Sequence, residues 1–189
     1  MEIISHPHYS VEIELKVGKQ LGVGGFCTVK QIDGINISCN IRDPPLHSRE
    51  YMAMQCIREV GGPRYAIKEL SSSSKTDKTL CMKGIADIVV EARLLAVIQH
   101  QHIIKIRGFG SCGYFNKDFF ILMDRLDQTL DRKINQWRDE TRKSSGMLGK
   151  FSKKKKEKFD EIKDEKVDAC RGVASAIRFL HSKKWVDHV

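Results

Sequence analysis

Three glycines within four residues, Gly22, Gly24 and Gly25, sit between two stretches of β-pattern. That arrangement restricts the fold more than any other part of the chain. Before it, Val11, Ile13, Leu15 and Val17 alternate with Glu12, Glu14 and Lys16, the period-two pattern of a half-buried strand. After it, Thr28-Val29-Lys30-Gln31-Ile32 reads as a second strand, with Asp33-Gly34 as a turn signal. A dinucleotide-binding fold needs a helix directly after its glycines, and the β-branched Thr28, Val29 and Ile32 argue against one. The expectation is a hairpin with a glycine-rich tip, where backbone can approach a phosphate because no side chain holds it off.

The rest of the chain alternates strand and helix signals. Asp43-Pro44-Pro45 is a break, followed by a short helix over 47–59, and Gly61-Gly62-Pro63 stops it. Arg64–Leu70 reads as a strand and Ser71–Thr79 as a polar loop. Lys83–His100 is the best helix, with Ile85, Ile88, Val89, Ala92 and Leu95 at three-to-four spacing and Asp87, Glu91 and Arg93 away from the stripe's centre. Ile103–Gly108 and Phe119–Met123 read as strands, 128–138 as a short helix and Val167–His181 as a longer one. Segregated elements of this kind give an α+β fold.

Within an apolar strand, Ala66-Ile67-Lys68 carries one cation, and Glu91 on the following helix is its natural acidic partner. A triphosphate site needs that combination: glycines at the phosphates, a cation to draw on them, and an acid to hold the cation in place. Taken in order, these segments resemble the eukaryotic protein kinase family. Gly22-Val23-Gly24-Gly25-Phe26-Cys27-Thr28-Val29 fits the pattern GxGxFGxV, except that Cys27 stands at the third glycine. Tyr65-Ala66-Ile67-Lys68 is similar to the lysine strand. Val90–Leu95 with His100–Ile106 is similar to the helix-and-strand run after it, and Phe120–Leu126 to the strand that enters the hinge.

The resemblance covers roughly Leu15–Lys184 and implies a kinase-like small lobe over 15–123: an antiparallel sheet plus one main helix. It further implies a hinge at 124–126 and the first helices of an incomplete large lobe over 127–189. It implies ATP as ligand, with magnesium expected for the family, and transfer of the γ-phosphate to protein serine or threonine. Lys68 and Glu91 would be the catalytic pair. Leu21, Gly22, Gly24, Phe26, Val29, Ala66, Lys68 and Met123 would line the nucleotide, with Met123 as gatekeeper, and the backbones of Asp124 and Leu126 would bond adenine.

Two departures qualify that expectation. Val29 and Lys68 are 39 positions apart, so an insertion over 36–62 is expected to loop out. Trp185-Val186-Asp187-His188-Val189 does not follow the family's catalytic-loop pattern, so no role is carried onto Asp187. The expectation is therefore a partial kinase domain without the catalytic aspartate and metal-binding residues, with weak nucleotide binding and negligible transfer. A pseudokinase that binds protein partners stays open as an alternative. The apolar face of 167–180, which a complete large lobe would cover, is expected to be exposed.

Charge is uneven. Arg142, Lys143, Lys150, Lys153, Lys154, Lys155, Lys156 and Lys158 lie within 142–158 beside a single acid, Glu157, so most of the formal +9 belongs to one segment, expected to be a basic loop within an insertion over 141–166. That segment leaves a third reading, contact with nucleic acid or an anionic membrane. At 41% hydrophobic and 30% charged residues, the chain has the composition of a globular protein. Six scattered cysteines without CxxC spacing suggest free thiols, and His100 and His102 are expected to be structural. With no secretory signal and no stretch of ~18 apolar residues, a cytoplasmic or nuclear location is expected.

Overall fold

The computed structural model describes residues 6–38, 42–58, 61–145 and 153–183. Asp187, Cys39 and the start and end of the chain lie outside them. The fold is α+β, in two compact units: Met1–Gln99 with Ile104–Arg125, and His100–Ile103 with Leu126–Val189.

The first unit is built on a six-stranded sheet. Its strands are β1 (His8–Tyr9), β2 (Leu15–Val23), β3 (Cys27–Ile35), β6 (Tyr65–Leu70), β7 (Ile106–Gly110) and β8 (Phe120–Asp124), in the order β1-β7-β8-β6-β3-β2. Five of them form an antiparallel run, but β1 pairs parallel with β7, His8 opposite Phe109. The sheet is therefore mixed, not antiparallel throughout. A small second ladder joins β4 (Ile57–Arg58) to β5 (Gly62–Pro63).

Alternation along the central strands divides the core. Ala66 and Leu70 of β6, with Phe119, Ile121 and Met123, pack on one face beneath helix α4 (Lys78–Val97), which supplies Ile88, Val89 and Ala92. Tyr65, Ile67, Phe120 and Leu122 point to the other face and meet Tyr9, Leu15 and Ile32. Strand β2 crosses between the two. Leu15 and Val17 pack on the second face, but register shifts along β2 bring Leu21 to the first.

The insertion does not loop out. Its helix α2 (Arg49–Met54), capped by Ser48 Oγ accepting from the Tyr51 amide at 3.1 Å, lays Met52 and Ala53 on the second face. Cys56 follows, its thiol 3.7 Å from the Ile32 carbonyl. A sheet buried on both faces needs a lid on each, and the insertion covers the face that α4 does not.

Several boundaries move for local reasons. Val11–Glu14 is a helical turn, α1, and the strand starts only at Leu15. Asp33-Gly34 lies inside β3, where the Asp33 carboxylate folds over Gly18 of the facing strand, so closely that a Cβ at Gly18 would stand 2.3 Å from it. Ser71–Thr79 is not a loop. Ser71 caps a short helix, α3 (Ser72–Thr76), and Asp77 Oδ1 accepts from the Leu80 amide at 2.8 Å to start α4, so the polar residues are caps. Gly84 in α4 lets the helix approach the sheet: a Cβ there would stand 2.4 Å from Leu70 Cδ2 and 2.9 Å from Phe26 Cβ.

The second unit contains α5 (Leu130–Ser145) and α6 (Lys153–Ser182). Both ends of the expected basic loop are helical, and α6 starts fourteen residues earlier than expected. Its Lys- and Glu-rich first turns favour helix without giving an apolar stripe. Residues 146–152 and the side chains of Lys143 and Lys153–Lys156 lie outside the described residues. The two helices join through Trp137, whose indole N–H donates to Glu165 Oε2 at 2.7 Å, and Lys133 meets the same carboxylate at 2.8 Å. The hydrogen bond from Lys133, then that from Trp137, holds the Glu165 carboxyl below its ordinary range. Val173 and Ile177 of α6 are about half exposed, as expected of that face.

Two outcomes follow for stability. Gly84→Val should cost roughly 1–3 kcal/mol by overpacking, measured as a lower urea midpoint at unchanged slope. Burial pushes the Cys56 thiol from its ordinary 9.0 up to about 11. The folded state therefore keeps a proton that the unfolded state releases, and stability present below pH 9 should fall as pH rises towards 11. Cys56→Val should flatten that part of the stability–pH curve.

Candidate functional site

Lys68 stands on β6, a central strand between β3 and β8. In register, Val29 of β3 lies on one side of it and Ile121 of β8 on the other, and both belong to the core beneath α4. Next to it, Glu69 faces the opposite side of the sheet and has its own cations. Lys30 donates to it at 2.8 Å, and Lys75, 3.8 Å from it, reaches on to Asp118 at 2.9 Å. Lys68 therefore takes a partner from the helix: its ammonium pairs with Glu91 Oε2.

Glu91 reaches it because α4 turns that position inward. Gly84, Ile88, Glu91 and Leu95 recur at four- and three-residue spacing, so Glu91 shares the sheet-facing side with buried Ile88 and Ala92. Reading it as off the apolar stripe's centre underestimated this, since a stripe drawn only through apolar residues steps over a carboxylate among them. The pair is not sealed from water: the side chains are 25% and 34% exposed.

The glycine hairpin closes where expected. Gly22 opposes Val29, Val23 opposes Thr28, and the Gly24 amide donates to the Cys27 carbonyl at 2.7 Å. None of Gly22, Gly24 and Gly25 has positive φ; the described glycines that do are Gly61, Gly62 and Gly113. Internal packing does not require glycine there either. A Cβ at Gly22 or Gly25 would meet no atom within 4 Å, and one at Gly24 would make an ordinary 3.6 Å contact. Chain conformation and packing thus leave these glycines unexplained, while the absence of side chains leaves room for a ligand beside the backbone.

Leu21, Val29, Ala66 and Met123 all belong to the core on the Lys68 face. Phe26 is half-buried at the hairpin tip, against Leu70 and Gly84, and its carbonyl accepts from the Ser71 amide at 2.9 Å. It thereby ties the tip to the end of β6. Cys27 is buried beside it; desolvation pushes its thiol up, and the Lys68 charge offsets part of that rise. Asp124 ends β8, with its carboxylate held by Arg107. Leu126 belongs to the second unit and is exposed.

Sequence reasoning missed Gly84 and Arg107. A glycine inside a helical pattern signals only weakness, and an arginine beside an apolar run carries no periodicity. His100 and His102 are structural parts of the second unit. His100 Nε2 lies 3.2 Å from Ser175 Oγ with its ring 4.9 Å from Phe179, and His102 packs on Gly172. Among the described residues, no three His, Cys, Asp or Glu side chains are grouped so as to hold a metal ion, and no helix is long and apolar enough to cross a membrane.

Compared with protein-family models and with curated proteins, the chain matches none.

An ion pair this open contributes about 0–1 kcal/mol to stability. Lys68→Met and Glu91→Gln should each shift the urea-unfolding free energy by no more than about 1 kcal/mol. A loss of several kcal/mol would make the pair a structural element first.

Proposed function

We propose that the first unit is a nucleotide-holding lobe of protein-kinase type, whose ligand is ATP. The observation that carries this reading is the Lys68–Glu91 pair, on the face of the sheet that also bears the glycine hairpin. ATP, when bound, supplies a transferable phosphoryl group; the family's reaction passes it to a protein serine or threonine. The chain's own residues do the holding. Lys68 meets the phosphates, and Glu91 keeps its ammonium charged and aimed. Gly22 and Gly24 let backbone amides come within bonding distance. Leu21, Val29, Ala66 and Met123 offer apolar surface to the base, and the Asp124 carbonyl, whose own amide is bonded to the Lys105 carbonyl at 3.2 Å, offers its edge an acceptor. Magnesium is the family's expected ion.

A second reading, a lobe that binds a protein partner without transfer, draws on the outward side of α4. Met82 and Val90, two turns apart, are each about two-thirds exposed there.

The test is titration of ADP and ATP into the purified chain, followed by calorimetry. The first reading expects saturable binding that weakens about tenfold or more in Lys68→Met, the loss of one charge-assisted contact, with Glu91→Gln intermediate. Equal affinity in wild type and Lys68→Met would remove it.

A further inference from the structure

Asp124 is the last residue of β8, opposite buried Tyr65. Its carboxylate takes both arms of Arg107: Nε donates to Oδ1 at 2.8 Å and Nη2 to Oδ2 at 2.9 Å. Two parallel bonds fix the orientation of a carboxylate as well as its distance, which a lysine cannot do. Arg107 gets there through an irregularity in the sheet. Ile106 opposes Met123, but Gly108 opposes Leu122, so Arg107 is the extra residue of a bulge and its side chain is re-aimed.

The guanidinium has a further contact. Its Nη1 lies 3.3 Å from His47 Nδ1, which must be the acceptor, since arginine has only donors. His47 follows Pro44-Pro45 and holds a φ of 66°, a left-handed conformation uncommon for a residue with a Cβ. Arg125 is tied to the same segment: its amide donates to the Arg64 carbonyl at 2.8 Å, and its Nη2 donates to the Gly61 carbonyl at 3.2 Å. Gly61 and Gly62, with φ of 96° and 71°, form the left-handed turn that presents that carbonyl. The inserted segment therefore contacts Arg125 directly and reaches Asp124 through Arg107.

Resting on the nucleotide reading above, we infer that Arg107 is a positioning residue for the purine edge. Its fork on Asp124 sets the backbone that faces the base, and through it the insertion acts on nucleotide binding. Arg107 itself touches no ligand. The phosphate end is separate, because Lys68 opposes Ile121, three residues before Asp124, or about 10 Å at the rise of a strand. A change at Arg107 therefore reaches base affinity and leaves phosphate affinity alone.

Adenosine and inorganic tripolyphosphate, titrated separately into the full chain by NMR, distinguish these effects. Arg107→Met should weaken adenosine about tenfold and tripolyphosphate less than about twofold, the loss of a charge-assisted pair at one end only. Arg107→Lys, with the charge but not the fork, should recover part of the loss. Lys68→Met should do the reverse, weakening tripolyphosphate and sparing adenosine. Unchanged adenosine binding in Arg107→Met overturns this inference while the nucleotide reading stands. Parallel loss of both ligands also overturns it, since Arg107 would then hold the fold in general. Failure of the wild-type chain to bind either ligand removes the nucleotide reading, and this inference with it.

Discussion

A cation stands on one of the two central strands of a sheet covered on both faces, on the side where the glycine hairpin and α4 meet. Lys68 is flanked in register by Val29 and Ile121, and Glu69 next to it faces away and is occupied by Lys30 and Lys75. Only an acid from the layer above can answer it, and Glu91 of α4 does so. Where the helix lies is set by the apolar packing of Ile88, Val89 and Ala92 on the sheet, and the pair forms within that contact. Two turns earlier, Gly84 touches Leu70, two residues further along β6. With Gly84 at Leu70 and Glu91 at Lys68, α4 meets β6 at two points, seven residues apart on the helix and two on the strand, and it runs against the strand direction.

The other face shows why the insertion has to be folded. Tyr65, Ile67, Phe120 and Leu122 alternate with the residues under α4, so these large side chains of β6 and β8 would meet water without a cover. Fully burying a large apolar side chain is worth about 1.5–3 kcal/mol, and several sit on this face. Met52, Ala53 and Cys56 supply the cover, His47 ties the same segment to Arg107 of β7, and Gly61 ties it to Arg125 just after β8. An excursion between two neighbouring strands thus serves as the second layer of the domain.

Where periodicity reports burial, the sequence was a good guide. Helix α4 shows a three-to-four spacing, and the strands at Tyr65–Leu70 and Phe120–Asp124 are short apolar runs of strand length, whereas the alternation over 11–17 holds only from Leu15, because Val11–Glu14 is helical. Elsewhere burial and periodicity part company. Glu91 faces the sheet but is charged, so an apolar stripe steps over it. The start of α6 is rich in Lys, Glu and Asp, with Ile162 buried among them, too sparse an apolar pattern to read as a helix face. Ser71 and Asp77 look like loop residues because capping and turn chemistry use the same side chains. Arg107 depends on a one-residue bulge between β7 and β8, a feature of pairing that a single strand's pattern does not carry.

The three unusual choices on the Lys68 face share one property: none is what stability would select. Methionine at 68 would suit the Val29 and Ile121 surroundings better than an ammonium group, and a pair as open as Lys68–Glu91 returns about 0–1 kcal/mol. Gly22 and Gly25 adopt backbone angles open to other residues and touch nothing that a Cβ would disturb, yet glycine loses more entropy on folding than any other residue. A plain hairpin beside a snorkelling lysine would account for one such choice. All of them together, with an acid brought in by a separate helix, are what the proposed nucleotide would require: bare backbone and a held cation on one side of the sheet. That convergence, more than any single motif, is why the nucleotide reading is preferred to a purely structural one.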